Sequence, residues 1–234
     1  MIPKLTRPEY STAIPSTNKK IKYHPFTVRE EKVLMLAAEG GDQDEIVNAV
    51  TSCLQNCISS PTDIDVESLA LFDIEYLFLK TRSKSVGEVI SVIVTDPDDE
   101  AFSTDVEVNI DKIGVKKTEG HSQLIKIDSD VSVHMRYPDI SFFNTGIDLS
   151  TVASTVGIVT KCIDQIVVGD EVYNKEDMTE EEINEWVEGL SQKQFTLFVE
   201  FFATMPKMSH TITAKNTNTK KNFSVTLEGL ADFF

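Results

Sequence analysis

Three pairs of short alternating segments, each joined by a polar turn, constrain the fold of this chain more than any other feature. The pairs lie at Tyr10–Phe26, Glu88–Ile110 and Lys207–Leu227. Within each pair, apolar and polar residues alternate with the period of a half-buried strand. Gln123–Ile127 and Val131–Met135 add two more short strands. The sequence therefore predicts antiparallel β-hairpins, with four or more strands in one sheet.

Helix-start signals separate these strand regions. Capping-box patterns stand at Thr27–Glu30, Thr179–Glu182 and Ser191–Gln194, where a hydroxyl residue precedes an acidic or amide residue by three positions. The first helix is expected to run through Glu39, and the Gly40–Gly41 pair is expected to end it. Each of the three patterns therefore predicts a helix.

Three further helices are predicted from apolar periodicity. One begins after Asp42, and the apolar stretch Val66–Arg82 predicts one or two helices in the centre of the core. Ser150–Val167 carries apolar residues at helical spacing and is predicted to be helical, and the acidic segment Gly169–Glu171 is predicted to be a loop.

These elements predict an α+β fold in which antiparallel hairpins form small sheets packed with several α-helices. A chain of 234 residues can bury a substantial core, and we expect one domain spanning residues 1–234. Its expected parts are a basic arm and hairpin (1–26), a helical segment (27–86), β-hairpins (87–136), a second helical segment (137–205) and a C-terminal hairpin and tail (206–234).

The formal net charge is -16, from 38 acidic and 22 basic residues. Such a surface disfavours binding to nucleic acid, because phosphate backbones are bound through basic side chains. The first 32 residues are basic by contrast and include Lys4 and Arg7. This arm is suited to docking on an acidic subunit, although a solvated hairpin with ordinary surface lysines fits the same charges.

The composition also bears on the cellular compartment. The N-terminal residues lack the apolar core of a signal peptide, and no segment has the ~20 apolar residues needed to cross a bilayer. We therefore expect the protein in the cytoplasm of the cell that makes it, without membrane insertion. Cys53, Cys57 and Cys162 are expected to be reduced thiols in the core, because free cysteine is among the most buried residue types.

Motifs that carry chemistry are missing from the sequence. It contains no glycine-rich phosphate loop and no nucleophile elbow, and its four histidines fall in separate contexts. The acidic residues at 96 and 98–100 lack the alternating ligands and the glycine of a calcium loop. We expect no catalytic residues, no cofactor and no metal, and therefore no enzyme.

Apolar residues are concentrated near the C-terminus, where Leu227 and Leu230 precede Phe233 and Phe234. Such residues either enter the core of their own chain or contact a neighbour, because an exposed apolar end promotes aggregation. Both alternatives remain open. The aromatic residues at 195, 198, 201 and 202 have helical spacing and are expected in the core.

Several segments, in order from end to end, resemble the baseplate protein family of T-even-type contractile-tailed phages. They are Ile2–Leu5, Ile14–Thr17, Tyr23–Phe26 with Val28–Leu34, Leu71–Gly87, Met205–Met208 and Leu227–Phe234. The resemblance implies a baseplate hub protein without catalytic residues. It implies contacts with other tail and hub proteins, among them the tape-measure protein.

Two functions are consistent with that resemblance. The first is an assembly factor or chaperone for hub or tape-measure subunits, acting in the host cytoplasm. The alternative is a permanent structural subunit of the baseplate hub in the virion tail. Oligomerisation is compatible with either. The residues expected to bind a partner are Lys4, Leu5, Arg7, Leu227, Leu230, Phe233 and Phe234.

The resemblance has one further implication, which concerns the turns of two hairpins. Many relatives carry Cys-x-x-Cys pairs that look like zinc knuckles at the tips of the second and last hairpins. The corresponding segments here are Asp96–Asp99 and Asn216–Thr219, which contain no cysteine. We therefore expect these hairpins to be stabilised by strand pairing alone.

Overall fold

The computed structural model describes residues 6–140, 142 and 152–228. Its helices and antiparallel sheets confirm the predicted α+β class. The chain divides into two compact units. Unit 1 consists of Met1–Lys116 and Lys207–Phe234, and unit 2 of Lys117–Pro206. The expectation that the whole chain behaves as one domain stays a prediction.

Unit 1 begins with a three-stranded sheet in the order β1-β2-β3. Its strands are β1 (Tyr10–Ala13), β2 (Lys20–Tyr23) and β3 (Ile58–Ser60). The first two form the predicted hairpin, in which Tyr10 lies opposite Tyr23. Asn18 has a φ of 57° in the connecting turn, a conformation that asparagine tolerates better than most residues.

Helices α1 (Val28–Gly40) and α2 (Gln43–Cys57) follow as predicted. The Thr27 side chain and Glu30 form a capping box at the start of α1. Gly41 ends the helix in the left-handed region, with a φ of 70°. The Asp42 carboxylate then caps α2 by accepting from the N–H groups of Asp44 and Glu45. A glycine and an adjacent cap therefore produce the sharp connection between the two helices.

Helix α3 (Leu71–Ser85) is the central helix of unit 1. The predicted segment Val66–Arg82 contains a short 3-10 turn, Val66–Ser68, before the helix starts. Eight residues of α3 are buried: Phe72, Asp73, Ile74, Leu77, Phe78, Leu79, Thr81 and Ser83. Protein therefore surrounds α3 on most sides. This agrees with the prediction of a core helix that is apolar on most faces.

Two hairpins complete unit 1. Strands β4 (Val89–Asp96) and β5 (Asp99–Asn109) pair with each other, and β11 (Lys207–Lys215) pairs with β12 (Asn222–Glu228) and with the short β6 (Val115–Lys116). Their inward-facing residues pack with Leu79 of α3 in one core. The predicted second and third hairpins are confirmed.

Among its described residues, unit 2 contains a four-stranded antiparallel sheet in the order β10-β9-β8-β7 and three α-helices. The strands are β7 (Leu124–Lys126), β8 (Val131–Met135), β9 (Ile163–Val168) and β10 (Glu171–Asn174). The helices are α4 (Val152–Cys162), α5 (Glu180–Glu188) and α6 (Gln192–Thr204). The capping boxes predicted for α5 and α6 are both present.

The prediction of a helix over Ser150–Val167 was wrong in its second half. Helix α4 ends at Cys162, and β9 starts at Ile163 and pairs with β8 along its length. Four of the six residues of β9 are β-branched, which favours a strand, and pairing with a neighbouring strand outweighs the helical spacing of Ile163 and Ile166. Glu171, predicted in a loop, starts β10. Ser150 lies outside the described residues.

The core of unit 2 packs the inner face of this sheet against its helices. Val133, Met135, Val159, Cys162 and Phe198 are among its fully buried residues. Phe195, Phe201 and Phe202 belong to the same cluster, as expected for the aromatic series of α6. Across residues 6–140, 142 and 152–228, no helix combines the length and the apolar character required to cross a membrane.

Candidate functional site

A concave site of about 490 Å³ lies in unit 1 between the first sheet and α3. Three tyrosines, two lysines and four other polar or acidic residues contribute to its lining. Lys84 Nζ lies 5.7 Å from the centre of the Tyr10 ring, and Lys80 Nζ lies 5.4 Å from that of Tyr76. Asp111 pairs with both lysines, at 3.7 Å from Lys80 and 3.3 Å from Lys84. The site therefore holds a network of compensated charges.

The pKa shifts in this site oppose acid–base catalysis. Hydrogen bonding to Glu88 raises the pKa of Lys84, so the amine stays protonated. The pKa of Asp111 is lowered: burial opposes the shift, and the Ser83 hydroxyl and the two lysines outweigh it. Burial raises the pKa of Tyr23 to about 12. A catalytic base or acid needs a pKa near the working pH, and these groups are moved away from it.

The cysteine thiols are also unsuited to chemistry. Cys53, Cys57 and Cys162 are free and buried, as predicted. Contact with Cys57 together with burial raises the pKa of Cys53, and burial raises the pKa of Cys162 to about 12. Because the thiolate is the reactive form, these side chains act as small apolar core residues.

His121 has a structural environment within unit 2. Its two ring nitrogens lie 3.0 Å from the Thr204 hydroxyl and 3.1 Å from the Tyr137 hydroxyl. The imidazole also contacts the ring of Phe201, with 5.1 Å between centroids. Burial lowers the pKa of His121, which favours the neutral ring. His121 lies in the loop before β7, and its packing and hydrogen bonds therefore connect that loop to α6.

The tips of two hairpins in unit 1 are joined by a polar contact. Asn216, which is fully buried, donates from Nδ2 to the Asp96 carboxylate at 2.8 Å and to that of Asp99 at 3.1 Å. Its Oδ1 accepts from the N–H groups of Asn218 and Thr219 and so fixes its own turn. The expectation that strand pairing alone stabilises these hairpins was therefore wrong. The carboxylates of Asp96 and Asp99 and the amide of Asn216 therefore cross-link the two hairpins. The sequence does not indicate this contact, because the residues are far apart in the chain.

Acidic residues at these tips do not form a metal centre in the described part of the chain. No group of three or more His, Cys, Asp or Glu side chains is arranged to hold a metal ion among the described residues. The Asp96 carboxylate is instead used as an acceptor for Asn216.

Helix α1 exposes an apolar surface that the sequence analysis did not identify. We define the α1 surface as Val28, Lys32, Met35, Leu36 and Glu39. Met35 is 58% exposed and Leu36 57% exposed, and Val28 is more exposed still. The opposite face of the helix carries the two buried residues, Leu34 and Ala37. One side of α1 therefore packs on the protein while the other presents large apolar side chains to solvent.

The β10 edge is the corresponding feature of unit 2. We define it as Val172 and Tyr173 of β10, the outermost strand on one side of the four-stranded sheet, together with Val168 at the end of the neighbouring β9. Val172 is 54% exposed and Tyr173 43% exposed, and every residue of β10 is exposed. An edge strand of this kind has free backbone groups that can pair with a further strand.

A signal for both surfaces exists in the sequence. Helix α1 carries apolar residues at 28 and at each position from 33 to 36, a distribution wider than the single stripe needed for contact with one side. In β10, the pair Val172–Tyr173 interrupts an acidic segment. Apolar residues beyond the needs of the core indicate an interface.

The predicted partner-binding residues have different environments. Arg7 is exposed, and its Nη1 lies 3.5 Å from the His24 ring. Leu227 is 5% exposed and packs in the core of unit 1, opposite His210 in the last hairpin. Partner binding through these side chains stays a prediction. The other predicted residues, Lys4, Leu5, Leu230, Phe233 and Phe234, lie outside the described residues.

Comparison with known proteins bears on the family of this chain. Neither curated proteins nor solved structures include a significant match to this chain. A family model described as T4 bacteriophage base plate protein matches residues 7–234. This match covers nearly the whole sequence and includes both compact units. The chain therefore belongs to the T4 bacteriophage base plate protein family.

Proposed function

We propose that this baseplate protein is a hub assembly protein that acts through protein–protein contacts, as an assembly factor or chaperone for a hub or tape-measure subunit. Family membership supports contacts with other phage proteins and a location in the virion tail. The assembly step itself takes place in the host cytoplasm in this proposal. The net charge of -16 supports a soluble escort, because strong like charge opposes self-aggregation.

The observation that carries this proposal is the β10 edge. Its strand offers unpaired backbone groups and exposed apolar side chains together, which is what strand addition by a partner requires. Asp170, Glu171 and Glu176 lie in or beside the strand. The surroundings are therefore acidic, and an extended partner segment with basic side chains would be complementary.

No enzymatic activity forms part of the proposed function. The concave site of unit 1 supports this, because the charges of Lys80, Lys84 and Asp111 compensate one another and the pKa shifts of Lys84 and Asp111 stabilise their ordinary charged forms. A hydrolase of the hub would need two carboxyl groups in distinct environments beside a substrate cleft.

Co-expression with the other hub proteins and the tape-measure protein, followed by affinity capture, tests the proposal. We expect Val172→Lys to reduce capture strongly, because it adds a positive charge to the surface proposed for a basic segment. Ile93→Lys is the matched control, since Ile93 is an exposed apolar strand residue of unit 1. Wild-type capture by Val172→Lys would exclude the β10 edge as the docking surface.

Mass spectrometry of purified tails separates the two functional alternatives. An assembly factor is expected to be absent or far below the level of hub subunits in finished tails. Peptides of this chain at stoichiometric levels would instead favour a permanent structural subunit.

The chain ends are proposed to bind a partner as well. Deletion of residues 1–7 and the double change Phe233→Ala with Phe234→Ala are each expected to weaken capture while the far-UV circular dichroism stays unchanged. The deletion removes Lys4, Leu5 and Arg7. Loss of the folded signal in the double variant would show that the two rings serve the core, and undiminished capture by the deletion would exclude the basic arm.

A further inference from the structure

On the outer face of α1, two oppositely charged residues lie at equal distances along the helix on either side of an apolar pair. Along the helix, Lys32 precedes Met35 by three positions and Glu39 follows Leu36 by three. At about 100° per residue, these four side chains lie within an arc of about 100°. Leu34 and Ala37, the buried residues of α1, lie on the opposite side. The four residues therefore share one solvent-facing surface.

The two charges on this surface have no ion-pair partner among the described residues. Lys32 and Glu39 are both exposed, and neither forms an ion pair with another residue in the part of the chain that the structure describes. They are seven positions apart, which separates them by about 10 Å along the axis, too far for direct contact. Between them, Met35 and Leu36 are more than half exposed. The surface thus combines two free opposite charges with an apolar centre.

We propose that α1 pairs with α1 of a second copy of this chain, antiparallel and about a two-fold axis that passes between Met35 and Leu36. Such an axis brings Lys32 of each copy opposite Glu39 of the other. It also gathers Met35 and Leu36 of both copies around the axis. The result is an apolar centre with one ion pair on each side, in which both copies use the same surface.

The charge pattern favours a second copy over an unrelated partner. A two-fold interface requires that the residue at one position complement the residue it meets on an identical surface. Lys32 and Glu39 satisfy this requirement twice through one symmetry operation. A purely apolar partner would bury both charges without compensation, which is unfavourable. A partner with charge of one sign would satisfy one of them and repel the other.

This inference goes beyond the proposed function and does not depend on it. The β10 edge is the surface proposed for a hub or tape-measure subunit, whereas α1 is proposed for self-association. Loss of partner capture in Val172→Lys and loss of self-association in an α1 variant are separate results. Each proposal can therefore fail while the other stands.

Sedimentation velocity of the full-length chain over a range of concentrations tests the pairing. The wild type is expected to form a dimer as concentration rises. Lys32→Glu places glutamate against glutamate, and Glu39→Lys places lysine against lysine, so each is expected to weaken self-association by about tenfold or more. An equimolar mixture of the two single variants is expected to form a mixed dimer, because every charge pair across that interface is again opposite.

The double variant and a surface control complete the experiment. Lys32→Glu with Glu39→Lys in one chain is expected to restore the dimer, because the two charges exchange places. Lys20→Glu, a charge reversal at an exposed strand residue, is expected to leave self-association unchanged. Circular dichroism verifies that each variant is folded. A wild type that stays monomeric at every concentration, single variants that dimerise normally, or a mixture that fails to associate would each overturn the proposal.

Discussion

Helices α1 and α3 differ by two residues in length, yet they have opposite relations to solvent. Eight residues of α3 are buried, whereas Leu34 and Ala37 are the buried residues of α1. Helix α3 packs against α2 on one side and against β6 and β11 on others, whereas α1 packs mainly against α2. Large apolar residues occur in both helices, so their presence alone does not identify a core helix. What distinguishes the two is whether other elements surround the helix on one side or on most sides.

The largest effect is expected from truncating the buried helix. Phe78 of α3 is 1% exposed, and Phe78→Ala should lower the free energy of unfolding by about 3–5 kcal/mol through lost burial and a residual cavity. The matched change on the other helix, Leu36→Ala, should alter it by less than about 0.5 kcal/mol. Urea denaturation at concentrations where the chain is monomeric measures both. An equal loss in the two variants would contradict the comparison.

A smaller effect is expected from a titrating group on α3. Burial, with a contribution from the Glu228 carboxylate, raises the pKa of Glu75 to about 7 from an ordinary value of 4.5. The folded state therefore holds this proton more tightly than the unfolded state. The stabilisation is complete below pH 4.5 and is lost as the pH rises through 7.

Glu75→Gln tests this dependence, because the amide does not titrate. The variant should lose the decline in unfolding free energy between about pH 5 and pH 7 that the wild type shows. Denaturation curves recorded across that range measure the difference. An unchanged decline in Glu75→Gln would assign the pH dependence to other groups.

The smallest effect is expected at the start of α1. The Thr27 side chain caps this helix, whereas Ala70 at the start of α3 provides no side-chain cap. Thr27→Ala should therefore cost about 1 kcal/mol of unfolding free energy, since it leaves backbone N–H groups without an acceptor. Thr27→Ser retains the hydroxyl and should cost less. Equal losses in both variants, measured by denaturation, would assign the effect to the threonine methyl group.

Local signals made much of the fold predictable. The capping boxes at Thr27, Thr179 and Ser191 each start a helix, and the Gly40–Gly41 pair marks the end of α1. These features depend on residues a few positions apart, and a sequence displays them directly. The hairpins were predictable for the same reason, because their strands are adjacent in the chain.

Features that depend on distant residues were not predictable. Ile163–Val168 has helical spacing, and it becomes a strand because β8 lies beside it. The contact of Asn216 with Asp96 spans 120 positions, and no local pattern announces it. The direction in which α1 turns its apolar residues depends likewise on which elements pack around the helix. Tertiary contacts outweigh local preference at each of these places.

The division of unit 1 into two stretches of chain affects how the protein is made. Strands β11 and β12 belong to unit 1, but the ribosome adds them after all of unit 2. Domains form during synthesis as their residues emerge. Unit 2 is complete in sequence at Pro206, while nascent unit 1 still exposes the apolar residues that β11 and β12 later cover. The core of unit 1 can therefore be completed only after the ribosome has synthesised residue 228.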